Sequence, residues 1–147
     1  MEEKKTGRSA VWGVITAAAI ILLVATIILS VTCVHQRNTL RQKSILTLSM
    51  AYAYMQEVYA GEDLAEHPKA AMILQSLESM SDYVDDAAMK VRDLVRLSVT
   101  NLQEENFQKI AQIVLPVQVT FDTENNTVSA DTEELDRAIA QMEALIK

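Results

Sequence analysis

The longest pattern in the chain is an apolar run from Ala10 to Val34, 25 residues without a charged side chain. A helix rises ~1.5 Å per residue, so this run reaches about 37 Å and exceeds the roughly 30 Å hydrocarbon core of a bilayer. The apolar part of a signal peptide has only about 7–15 residues, so the run favours a retained signal-anchor over a cleaved leader. Lipoprotein processing before Cys33 is a weaker alternative, because residues 30–32 fit that signal poorly. The pattern predicts one transmembrane helix.

The helical pattern continues beyond the apolar run as a juxtamembrane stalk. Neither Pro nor Gly occurs between Gln36 and Ala60. Apolar and aromatic residues recur at alternating spacings of three and four, which places them on one face of a helix. They are Ile45, Leu48, Tyr52, Met55 and Tyr59. Gly61 and the acidic turn that leads to His67-Pro68 predict where the stalk ends.

A coiled-coil-type repeat follows the stalk. One set of positions seven residues apart is Ala70, Leu77, Val84, Val91 and Ser98, and a second set is Ile73, Met80, Ala87 and Leu94. Eight of these nine residues are apolar, and Leu74, Ala88 and Val95 lie beside them. The stripe is wider than the seam of a two-stranded coiled coil. It predicts the inner face of a small helical bundle that packs on the stalk.

The pattern changes again near the C-terminus. Asn101 with Glu104 resembles a capping pair, and the helix it would begin runs to about Leu115. Apolar and polar residues then alternate over 117–130, with an Asn-rich turn in the middle, as in a short β-hairpin. Asp131, with Glu134 three residues on, predicts the start of a last helix. The apolar face of that helix is Leu135, Ala138, Met142 and Leu145.

Together these elements predict a mainly α fold. A single N-terminal transmembrane helix continues into a small helical bundle, with a short β-hairpin before the C-terminal helix. The expected organisation is a basic tail at 1–9, the transmembrane helix at 10–34, the stalk at 35–61 and a small acidic helical domain at 62–147.

Charge is distributed unevenly along the chain, whose net charge is −7. Residues 1–43 contain six Lys and Arg against two Glu, whereas residues 44–147 contain seven basic and 18 acidic residues. An acidic domain argues against nucleic acid as a partner, because phosphates require a basic face. The basic collar suits anionic lipid headgroups. The lipid bilayer is therefore the first expected partner.

Membrane orientation follows from the basic residues beside the apolar run. Three lie on each side, but those before it are confined to a nine-residue tail. A short basic tail before a first apolar segment favours a cytoplasmic N-terminus. We expect a single-pass protein of the plasma (inner) membrane with an extracytoplasmic C-terminal domain.

Candidate chemistry is sparse. Glu78 and three aspartates in one helical region offer carboxylates for a metal ion, but a solvated acidic face explains them better. The three aspartates, Asp82, Asp85 and Asp86, are the expected partner-facing patch. His35 and His67 lack the neighbouring residues of a catalytic centre, so neither an enzyme nor a cofactor is predicted. Cys33, the single cysteine, is a candidate for lipidation or an intermolecular disulfide.

Two aromatic and small-residue patterns allow further interpretations. Three tyrosines and two methionines in the stalk are more typical of a core than of a ligand pocket. They are Tyr52, Tyr54, Tyr59, Met50 and Met55. Small residues in the apolar run, such as Gly13 and Ala17, permit close helix approach but are also common in a plain anchor.

These observations favour an anchored interaction or scaffold module that docks a protein partner or associates with itself. The alternative is an extracytoplasmic small-molecule sensing domain. A nine-residue tail is too short for an output domain, so such a sensor would signal through a second chain.

Overall fold

A computed structural model describes residues 3–61, 69–80, 84–102 and 104–146 and confirms the predicted fold class. Five α-helices and one antiparallel pair of strands make up the described part of the chain. They are α1 (Glu3–Gly61), α2 (Lys69–Glu78), α3 (Asp86–Thr100), α4 (Glu104–Val114), β1 (Val119–Asp122), β2 (Thr127–Ala130) and α5 (Thr132–Ile146).

Packing divides the chain into two compact units, Met1–Asn38 and Thr39–Lys147. In the first unit, every side chain from Val11 to Asn38 is exposed. In the second unit, the helices and the hairpin share one hydrophobic core. The C-terminal part of α1 supplies part of that core, with Ile45, Leu48 and Met55 fully buried. This confirms the predicted apolar face of the stalk.

Tyr59 and Gln56 attach α1 to the ends of the neighbouring helices. The Tyr59 hydroxyl donates to the Ser98 carbonyl at 2.8 Å, and its ring stacks on Phe107 with centroids 4.9 Å apart. The Gln56 amide donates to the Val114 carbonyl at 3.1 Å. Carbonyls in the last turn of a helix lack partners within it, so these side chains satisfy groups that α3 and α4 leave open.

The repeat from Ala70 to Ser98 forms two helices rather than one. α2 ends at Glu78 and α3 begins at Asp86. The physical reason is a helix start built by Asp85, whose backbone is extended and whose carboxylate accepts the Ala88 N–H at 2.8 Å. The apolar repeat positions still face inward, because Leu77, Met80, Val91 and Leu94 are buried.

Asn101 also differs from its prediction. Its side-chain amide donates to the Leu97 carbonyl at 2.7 Å, so it closes α3 rather than opening α4. Asp131 takes the predicted role. Its carboxylate accepts the N–H groups of Glu133 and Glu134 at 2.9 and 3.2 Å, which places it at the start of α5.

The hairpin lies within the predicted range. Val119 pairs with Ala130 and Asp122 with Thr127. The Asp122 carboxylate accepts the Glu124 and Asn125 N–H groups, which shapes the turn. Asn126 has φ of 55°, a left-handed conformation that Asn adopts more readily than most residues. The hairpin packs on the helices as expected, with Val128 buried and the Phe121 ring 5.7 Å from that of Tyr52.

Candidate functional site

The N-terminal part of α1 has the chemistry of a membrane span. Among the residues that the structure describes, one helix is long and apolar enough to cross a membrane. The four hydroxyl side chains of the apolar run each donate to a carbonyl four residues earlier, at 2.8 to 2.9 Å. They are Thr16, Thr26, Ser30 and Thr32. Internal pairing of this kind keeps polar groups satisfied where lipid offers no partner.

In the second unit, an open groove of about 610 Å³ lies between α1 and α2. Apolar side chains line most of its surface, and hydroxyls and one carboxylate lie among them. The α1 side contributes Thr47, Met50, Ala51, Ala53, Tyr54 and Glu57, and the α2 side contributes Met72, Ile73 and Ser76. The groove therefore combines a large apolar wall with a single charged residue, Glu57.

Two opposite faces of α1 are apolar in this region, and only one of them is covered. Leu48 and Met55 are fully buried in the core, whereas Leu46 and Met50 are 51% and 59% exposed. Across the groove, Met72 of α2 is 64% exposed. The solvent face of a domain helix is ordinarily polar, so this uncovered apolar surface is the candidate functional site.

The charged and titratable side chains that line the groove, Glu57 and Tyr54, both lie on α1. Burial, followed by the nearby Glu57 carboxylate, raises the pKa of Tyr54 above its ordinary value. The phenol is therefore protonated at neutral pH. Lys43 lies one helical turn before Thr47 on the same exposed face of α1, so a positive charge marks the other end of this surface.

The aspartates of the predicted acidic patch differ in exposure and contacts where the structure describes them. Asp82 lies outside the described residues. Asp85 has a side chain 29% exposed and is engaged within the domain: besides opening α3, its carboxylate lies 3.5 Å from the Arg41 guanidinium and accepts the Val128 N–H at 3.3 Å. Asp86 is 80% exposed and lies 3.6 Å from Lys90. Asp85 therefore forms contacts within its own domain, whereas the side chain of Asp86 faces solvent.

Cys33 and His35 are not among the residues that line the groove. Cys33 is an exposed free thiol on α1, and its lipidation or intermolecular pairing stays a prediction. His35 also lies on α1, whereas His67 is outside the described residues. Within the described ranges, no group of three His, Cys, Asp or Glu is arranged to hold a metal ion.

Sequence reasoning treated the stalk tyrosines and methionines as one cluster, and the structure separates them. Tyr52, Met55 and Tyr59 pack in or against the core, and Met50 lines the groove. Tyr54 does both, because it packs against the core and also lines the groove. The available signal was the position of Leu46 and Met50 outside the repeat of the core face. Recognising the groove also required the placement of α2, which periodicity does not give.

Comparison with protein-family models, with curated protein sequences and with solved structures finds no match to this chain.

Proposed function

We propose that the protein is a single-pass, membrane-anchored and non-catalytic interaction module whose domain docks a protein partner in the groove between α1 and α2. The observation that carries this proposal is the uncovered apolar wall formed by Met50, Met72 and their neighbours. Contiguous apolar surface costs solvation free energy when it faces water, and it is a common mark of protein interaction sites.

The shape of the groove supports a protein partner. It is open and runs along about three turns of α1, from Thr47 to Glu57. An extended, apolar and mostly uncharged channel between two helices suits the docking of an amphipathic segment. The methionines add to this, because their flexible side chains adapt to the shape of a partner.

The anchor and its orientation belong to the same proposal. The long apolar helix supports retention in the plasma (inner) membrane, and the basic tail before it supports a cytoplasmic N-terminus. Docking then takes place on the extracytoplasmic side, with the partner either in the same membrane or free on that side.

Small-molecule sensing is the second candidate, favoured by the size of the groove. A volume of about 610 Å³ lies within the ~300–1,000 Å³ range of small-molecule sites. An apolar molecule bound between α1 and α2 would bridge the two helices and raise the thermal stability of the domain.

The proposal is tested by chemical crosslinking of the full-length protein in its native membranes. Met50→Asp and Met72→Asp place a charge in the groove, and Leu115→Asp makes the same change at another exposed apolar site. We expect a crosslinked partner band in wild type and in Leu115→Asp, and its loss in both groove variants. An identical band in all four proteins would contradict docking in the groove, as would stabilisation of the domain by a small molecule without any partner band.

A further inference from the structure

The apolar stripe on α1 ends in opposite charges. Lys43 and Glu57 are both exposed, and each lies seven residues from Met50. Seven residues are about two helical turns, so both charges lie on the same face as Met50, about 21 Å apart along the axis. Leu46, Met50 and Ala53 lie between them, all exposed. This surface of α1 is therefore positive at one end, apolar in the middle and negative at the other end.

From this pattern, and resting on the proposed function, we infer the chemistry of the occupant. It is an amphipathic helix of a different protein, with an acidic residue facing Lys43 and a basic residue facing Glu57. The two charges of the partner lie about 14 residues apart, and apolar residues at spacings of three and four fill the groove between them. Complementary charges at the ends fix the register of a helix that apolar contacts alone would let slide.

A second copy of this chain fits the pattern less well. Copies of a single-pass protein share one orientation in the membrane, so their α1 helices would meet in parallel. That arrangement places Lys43 against Lys43 and Glu57 against Glu57, and like charges at equivalent positions oppose association.

Three synthetic helical peptides test this inference. All carry the same apolar stripe, and their two end residues are Glu and Lys, Glu and Glu, or Lys and Lys. The affinity of each is measured by fluorescence anisotropy for the full-length protein in lipid nanodiscs. A free peptide can dock in either direction, so the order of its two end charges does not matter. The peptides therefore differ only in which two charges they carry. We expect wild type to bind the Glu and Lys peptide with about three- to tenfold higher affinity than the other two peptides. This is the gain in affinity that two solvent-exposed ion pairs provide.

Charge reversals on the protein make the test specific. Glu57→Lys leaves two positive ends and is expected to shift the preference to the Glu and Glu peptide. Lys43→Glu leaves two negative ends and is expected to shift it to the Lys and Lys peptide. Glu143→Lys on α5 makes the same change as Glu57→Lys at an exposed site elsewhere and is expected to keep the wild-type order. These preferences weaken at high salt, because exposed charges are screened.

The outcomes separate this inference from the proposed function. If all three peptides bind equally and Met50→Asp abolishes binding, the groove docks helices but the charge assignment is wrong. Failure of every peptide to bind overturns the inference, and the membrane crosslinking then decides the proposed function separately. A disulfide-linked dimer of Met50→Cys in a Cys33→Ser background would overturn it too, because the occupant would then be a second copy.

Discussion

Arg41 of α1 and Asp85 at the start of α3 form an ion pair, with 3.5 Å between Nη2 and Oδ2. The same guanidinium donates through Nε to the Asn126 carbonyl at 2.8 Å, and the same carboxylate accepts the Val128 N–H. Two side chains thereby connect α1, the start of α3 and the hairpin. Because Asp85 also accepts the Ala88 N–H, one carboxylate determines where α3 begins and where the hairpin lies against it.

Replacing Asp85 is expected to destabilise the domain. Asp85→Ala removes the bond that opens α3 and leaves the Val128 N–H without its acceptor, so we expect the free energy of unfolding to fall by about 1–3 kcal/mol. Urea-dependent pulse proteolysis of the full-length protein in detergent micelles measures the change.

Asp86→Ala is the matched control for Asp85→Ala. Asp86 is the next residue and its side chain is 80% exposed, so its pair with Lys90 contributes little. We expect a change below about 0.5 kcal/mol. Equal destabilisation by the two variants would mean that Asp85 does not connect these elements.

A pair of methionines on α1 tests which of its faces is the core. Met55 is fully buried and Met50 is 59% exposed. Met55→Ala is expected to lower the free energy of unfolding by about 2–5 kcal/mol, because it leaves a cavity. Met50→Ala is expected to change it by less than about 0.5 kcal/mol. Both changes in the free energy of unfolding are measured by the same pulse proteolysis. A larger loss of stability in Met50→Ala than in Met55→Ala would contradict the assignment of the Met55 face of α1 to the core.

Tyr59 makes the stability of the domain sensitive to alkaline pH. Burial raises the pKa of its phenol well above the ordinary value of about 10. Above pH ~10 the unfolded chain releases this proton while the folded domain retains it, so the unfolded state gains and the domain loses stability as pH rises. Below pH ~10 the phenol is protonated in both states and has no such effect.

Tyr59→Phe isolates this contribution. The variant loses the bond to the Ser98 carbonyl, so we expect it to be about 1 kcal/mol less stable than wild type at pH 8. Between pH 9.5 and 11.5 we expect its stability to decline less steeply than that of wild type, because it has no phenol to ionise at this position. Parallel pH profiles of the two proteins would assign the alkaline sensitivity to other groups.

The membrane span is tested near its centre. Leu22→Arg is expected to impair insertion, because an arginine in the middle of a transmembrane helix costs roughly 2.5–3.5 kcal/mol on insertion scales. Carbonate extraction of membranes measures the retained fraction, with Leu22→Ile as the control of similar size and polarity. N-terminal sequencing of the mature protein adds a second readout. A first residue at or after Cys33 would show cleavage and refute the retained anchor.

Local sequence patterns were sufficient for much of this fold. The spacing from Ile45 to Tyr59 predicted the buried face of the stalk, and the Asp131 cap predicted the start of α5. The tolerance of Asn for positive φ predicted the turn that contains Asn126. Each of these features depends on a few neighbouring residues, so it can be read without the tertiary structure.

Features that depend on distant residues were not predicted. The repeat from Ala70 to Ser98 contains no Pro or Gly, so its periodicity did not indicate a break between α2 and α3. The start of α3 is set by Asp85, whose partners Arg41 and Val128 are each more than 40 residues away in the sequence. The position of Met50 outside the core-face repeat was visible in the sequence, but the groove also required the placement of α2, which periodicity does not give.

Site-specific photocrosslinking in intact membranes tests most directly whether the groove docks a partner protein. A photoreactive phenylalanine analogue is placed at Met50 or Met72, on the two walls of the groove, and at exposed Gln141 of α5 as the control. We predict one adduct of the same mass from both groove positions and none from Gln141. Adducts of the same pattern from all three positions, or none from Met50 and Met72, would contradict docking in the groove.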